Sequence, residues 1–403
     1  MWEPARRDRR NHHAEFASAT ADIVAPSPLP HARLGGSGGR LSGIFRVGWI
    51  LNPTWDLVWF VALPFVALGI AFGFQHWLPY VAVASINLWI TIPHHYATWV
   101  RTYGMPEEWE RFKDRLIVGP IVIIAMAATG YVWAPITLLL LITAWDHQHS
   151  LMQQHGFGRI YDFKAGTGLP GTRRFDLALH WILYSTMLLN APMFRHLWIR
   201  ELHKMRVPLS VAFVDFVTMA SWLVLGGFLI AYAWHVAQTI RSGGAVNPVK
   251  YVYLFSSYFL WYVAAWHTNS VLLFAVAHRI MHGVQYLVMV SAFLGRKAAD
   301  RAARPGFWSR VSGKGRLKWF LLCGGAYAVV VQLLIQRPLD EFAFGIVNFA
   351  PYQAIPAFNL PALDATAGYE LFAYTIVASY GMIHYYVDSF IWKVQDKKVQ
   401  GGL

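Results

Sequence analysis

Apolar positions in this chain come in long unbroken blocks, without the two-residue or three-to-four-residue alternation of half-buried strands and helices. From residue 55 onward, ten stretches are apolar over roughly the 20 residues a helix needs to cross a bilayer. They cover 55–74, 80–99, 116–131, 135–151, 175–194, 209–235, 251–266, 270–294, 319–335 and 369–392. The pattern predicts an all-α fold, a polytopic transmembrane helical bundle of about ten spans. Two divisions rest on short breaks. Residues 130–135 begin with Gly130 and end with Pro135, residues that interrupt helices. His267-Thr268-Asn269-Ser270 offers Asn or Ser as the cap of the next helix.

Composition points the same way. Of 403 residues, 56% are hydrophobic and only 14% charged, where a soluble domain carries about 25% charged residues. That excludes an ordinary soluble enzyme, a disordered protein and a secreted disulfide scaffold. Cys323 is the only cysteine. It reads as a small buried hydrophobe, and neither a disulfide within one chain nor a thiolate metal cluster is expected. The formal net charge of +13 belongs mostly to loops, where Lys and Arg mark the cytoplasmic side and meet anionic membrane lipids, so no nucleic-acid partner is expected.

Residues 1–46 read as a disordered basic cytoplasmic tail containing His12 and His13, with 45–49 as a short interfacial anchor. Residues 47–393 form the transmembrane domain, 337–368 a non-cytoplasmic loop and 394–403 a cytoplasmic tail. Both termini are thus expected inside, in a bacterial inner membrane. Arg195, Arg200, Lys204 and Arg206 fall on the outer side of this layout. Either that amphipathic segment lies at an interface or one span is misassigned.

The 17 histidines change the picture from a membrane protein to a candidate metal protein. Under the ten-span layout eight of them, His94, His95, His147, His149, His155, His278, His282 and His384, reach a similar depth near the cytoplasmic face. His278 and His282 are i,i+4 on one helix face and can grip one metal, with Gln285 continuing that face. His384 and Asp388 have the same spacing, so the carboxylate either ligates or orients its histidine. His147 and His149 point to different helix faces, so they serve two ions or one of them only supports a ligand, and His94 with His95 leaves the same choice. His180, His196, His203 and His235 read as packing or interhelical hydrogen bonds. Asp146, Arg279 and Tyr385 are the candidate catalytic side chains, because charges at membrane depth are costly and usually functional or paired.

This histidine set, with His278 to His282 in HxxxH spacing, resembles the histidine-rich integral-membrane non-haem iron oxygenases: lipid desaturases, hydroxylases and alkane monooxygenases. A looser likeness is to the bacterial membrane carotene-cleaving dioxygenases, which hold one iron within a helical bundle. The resemblance implies one or two iron ions, a di-iron centre ahead of a single ion, held here by His94, His95, His147, His149, His155, His278, His282 and His384. It also implies O₂ chemistry on a lipid-like or other hydrophobic substrate drawn from the bilayer. A monooxygenase of this kind would need a separate electron-donor protein; a dioxygenase would not. Zinc is a possible metal for the same donor atoms and would imply a hydrolase. No haem is expected, since eight histidines exceed an axial pair. The rival classes are a proton-coupled transporter and a structural membrane protein. No five-span repeat is evident, and the ligand-like residues gather on one side of the membrane instead of at its midplane.

Overall fold

The computed structural model describes residues 41–169, 171–299, 311, 315–335 and 365–403. Among these the regular structure is helical, apart from a single parallel bridge between Phe45 and Val246. Each of the ten apolar stretches coincides with a helix. They are α1 (Pro53–Trp77), α2 (Tyr80–Thr102), α3 (Pro106–Trp133), α4 (Pro135–Ala165), α5 (Thr172–Asn190), α7 (Val211–Arg241), α8 (Pro248–His267), α9 (Val271–Ala299), α10 (Leu317–Ile335) and α11 (Ala365–Ile391). Of the described helices, α1, α3, α7 and α9 are long and apolar enough to cross a membrane. A fifth span is added if α5 and the bent helix after it count as one.

Local chemistry explains the boundaries. Asn52 caps α1 by accepting from the Trp55 amide at 3.0 Å, and Ser210 caps α7 by accepting from Phe213 at 3.1 Å. Ser270, not Asn269, caps α9, accepting from Leu273 at 3.2 Å. The break between α3 and α4 is Ala134 alone, with Pro135 opening α4 at a position where a missing amide costs nothing. Within α1, residues 57–62 widen to a π-helical turn.

The basic segment that disagreed with the layout is a separate helix, α6 (Pro192–Lys204), bent 76° from α5. Pro192 begins it, and Glu201 pairs with Arg200 at 2.7 Å and Lys204 at 3.1 Å. The expected C-terminal tail is docked: the short helix α12 (Lys397–Gln400) buries Val399, and Arg296 of α9 donates to the Gly402 carbonyl at 3.2 Å. His12, His13 and most of the expected 337–368 loop lie outside the described residues.

α9 is the central helix. Its apolar window is 72% buried, against 6% for α7, which therefore lies at the periphery. α9 packs on α1, α2 and α8, while α11 packs on α3 and α4. α4, α5, α7 and α8 are tied by a buried polar knot. Lys250, 1% exposed, reaches Asp162 at 2.9 Å and Asp176 at 3.0 Å. Arg159 also pairs with Asp162 at 2.8 Å, and the Tyr232 hydroxyl donates to Asp176 at 2.7 Å. A buried ammonium needs such complete partnering, because an unpaired charge in an apolar interior is very costly.

Candidate metal centre

Four histidines from four helices meet inside the bundle: His94 of α2, His149 of α4, His282 of α9 and His384 of α11. All are buried, and one coordinating nitrogen from each lies within 4.8 Å of all the others. The Nε2 atoms of His94 and His384 are 2.9 Å apart. Neighbouring rings stand nearly edge to face: His94 and His282 cross at 81°, His149 and His282 at 83°. The coordinating nitrogens of the four rings thus gather round a common point.

Hydrogen bonds set which nitrogen faces that point. His94 Nδ1 lies 2.8 Å from the Thr91 carbonyl, which can only accept, so the ring proton of neutral His94 sits on Nδ1 and Nε2 keeps a lone pair. A longer chain does the same for His384. With Asp388 ionised, the Tyr286 hydroxyl donates to its carboxylate at 2.7 Å, Thr98 donates to Tyr286 at 2.7 Å, and His384 Nδ1 donates to Thr98 at 2.7 Å. His384 Nε2 is then also a bare lone pair. Two lone pairs 2.9 Å apart repel unless a cation shares them. The donor set therefore fits a metal ion.

The four helices repeat one arrangement. Each histidine is followed at i+4 by a polar side chain: Thr98 after His94, Gln153 after His149, Tyr286 after His282 and Asp388 after His384. One helical turn along, these residues meet the ligand layer. Gln153 Nε2 donates to the His282 carbonyl at 3.0 Å, and Thr98, Tyr286 and Asp388 make the chain above. Of these, only Asp388 stood out in the sequence as a partner for a ligand; the shared i+4 offset was the signal for the other three.

The remaining expected ligands are placed elsewhere. His278 stacks beside His282 as its i,i+4 spacing requires, but both its nitrogens are engaged: Trp261 Nε1 donates to Nδ1 at 2.6 Å, and Nε2 faces Ser150 Oγ at 2.9 Å. A ring so held has no lone pair for a metal. His147 is turned to the opposite face of α4 and bonds Tyr184 at 2.8 Å. His155 lies further along α4, its ring 5.5 Å from that of His180. Asp388 acts one layer out: its Oδ2 is 3.9 Å from His384 Nε2, while its Oδ1 accepts from Tyr286. His95 flanks the four, with ring centroids 4.4 Å from His94 and 4.8 Å from His384, and both its nitrogens are buried without a hydrogen-bond partner.

The three candidate catalytic residues lie around the cluster. The Tyr385 ring stacks on His149 at 4.8 Å, and its hydroxyl donates to Asp146 at 2.8 Å. Arg279 donates to Thr91 Oγ1 at 3.1 Å, on the residue whose carbonyl orients His94. No protein-family model, curated protein or solved structure matches this chain.

Proposed function

We propose that the protein is a membrane-embedded non-haem iron oxygenase, with one iron ion held by His94, His149, His282 and His384 and a hydrophobic substrate taken from the bilayer. The observation that carries this reading is the convergence of four buried imidazoles from four helices. Imidazole suits first-row metals including Fe(II), and iron leaves positions open for oxygen. The single four-nitrogen cluster favours one ion over two, because His278 and His147 are bonded away from it and His155 lies further along α4 beside His180. When bound, iron supplies O₂ activation; the chain supplies position and environment.

Thr91 and the Asp388–Tyr286–Thr98 chain hold His94 and His384 in their ligating tautomers. The apolar cores of α1, α2, α8, α9 and α11 keep bulk water from the reacting atoms. Tyr385, stacked on His149 and tied to Asp146, holds a proton at the phenolic oxygen beside the cluster. The ten-span layout, with both termini cytoplasmic in a bacterial inner membrane, completes the proposal. Charged loops are consistent with it, and the apolar outer faces of α3 and α7 suit lipid.

Nitric oxide tests the open coordination position. The iron-loaded protein, kept anaerobic, should give a high-spin iron–nitrosyl signal in electron paramagnetic resonance. Stoichiometric bound iron without that signal would overturn the oxygenase reading. Bound zinc in place of iron would turn it into a zinc site.

A further inference from the structure

We infer that electrons enter the centre through Trp392, from an acidic one-electron donor protein docked on the cytoplasmic face. This rests on the iron reading above and adds the partner and route that it lacks, since the single cysteine rules out a thiolate cluster within the chain.

The route is a continuous hydrogen-bonded path. Trp392, half-buried just beyond the end of α11, points its Nε1 at the Tyr286 hydroxyl at 3.4 Å. That hydroxyl is 2.7 Å from Thr98 Oγ1, which is 2.7 Å from His384 Nδ1. Only the His384 ring then separates the path from its Nε2 in the four-nitrogen cluster. The rings track the bonds: Trp392 and Tyr286 centroids are 6.1 Å apart, Tyr286 and His384 5.4 Å. This run of bonded contacts joins the half-buried Trp392 to the four-histidine cluster.

The outer end of the path is cationic. The Arg101 guanidinium lies over the Trp392 ring, 3.4 Å from its centroid. Lys393, Lys397 and Lys398 follow Trp392 and are exposed, and Arg111 of α3 pairs with Asp396 beside them. Glu110 and Asp114 are also exposed on α3, so the surface is mixed but positive in balance. A basic surface of this type steers acidic partners by long-range attraction, most strongly at low salt. The step is a one-electron transfer. A reduced iron–sulfur or flavin protein loses one electron, ferric iron gains it and becomes ferrous, and no bond forms or breaks.

The test uses the full chain in lipid nanodiscs, iron-loaded and oxidised, with iron content measured first. An acidic [2Fe–2S] ferredoxin, reduced in advance, is mixed anaerobically, and decay of the ferric resonance is followed by freeze-quench. Expected are reduction at least about tenfold slower in Trp392→Leu and strong slowing of the wild type by salt. Lys393→Glu with Lys397→Glu should slow the ferredoxin but not dithionite, a check that does not disturb the path. Wild-type rates in both variants, or no salt dependence, would overturn the inference. A wild type without iron would overturn the metal reading instead, and the two failures are told apart by the iron measurement.

Discussion

His94 and His384 come from helices far apart in sequence, yet their Nε2 atoms face each other at 2.9 Å while their Nδ1 atoms are both held by oxygen. Oxygen partners on the far nitrogens leave lone pairs on the near ones. Donors arranged in this way could hold a metal ion.

Substituting the chain behind His384 should weaken binding without abolishing it. Tyr286→Phe removes, and Asp388→Asn weakens by removing its charge, the hydrogen bond behind the chain that orients the ring, and changes of this sort reduce metal affinity about 10–100-fold. Competitive chelator titration checks this. Unchanged affinity in both variants would show that the chain does not position the ligand.

His278 and His282 separate two roles on one helix face. His278→Ala leaves Trp261 Nε1 and Ser150 without their partner, a stability loss of about 1–3 kcal/mol with bound metal retained. Thermal unfolding combined with metal analysis reads both. Loss of metal in the folded His278→Ala protein would make it a ligand after all.

Lys250→Met should be among the most damaging changes outside the metal site. It takes the buried ammonium from two carboxylates, Asp162 and Asp176, leaving them only Arg159, the Tyr232 hydroxyl and the Thr167 hydroxyl, and breaking a buried pair from one side costs about 3–5 kcal/mol. The expected readout is a clearly lower melting temperature in detergent, with metal per folded chain unchanged. A melting temperature like the wild type's would contradict the knot's structural role.

Gly119 of α3 lets Tyr386 of α11 lie against the helix backbone, where any side chain would collide with the ring. Gly119→Val should cost about 1–3 kcal/mol through overpacking and disturb the neighbouring Tyr385. A melt checks the stability. A variant as stable as wild type would mean that Tyr386 swings away freely.

Much of this was legible in the sequence, and the limits have physical causes. Block hydropathy located ten helices because helix-length apolar runs need no tertiary information, and Ser270 and Pro135 marked their starts. The histidines named the helices that carry the centre. Which histidine of each pair joins the four-nitrogen cluster was not legible: helical periodicity gives a residue's face but not the helix that face meets. His278 shares a face with His282, and only the distant Trp261 removes it from the ligand set. His147 and His149 were separable by face, as their two-residue offset requires. Thr98, Gln153 and Tyr286 carried a readable signal in their common i+4 offset, but Thr, Gln and Tyr are so ordinary that only the assembled layer reveals it.

Metal content measures the central claim most directly. Detergent-purified full-length protein, loaded with Fe(II) under anaerobic conditions and desalted, is analysed for transition metals beside His282→Ala and His278→Ala. The account predicts about one equivalent of iron in the wild type and in His278→Ala, and a large loss in His282→Ala. Less than about a tenth of an equivalent of any transition metal in the wild type, or undiminished metal in His282→Ala, would contradict it.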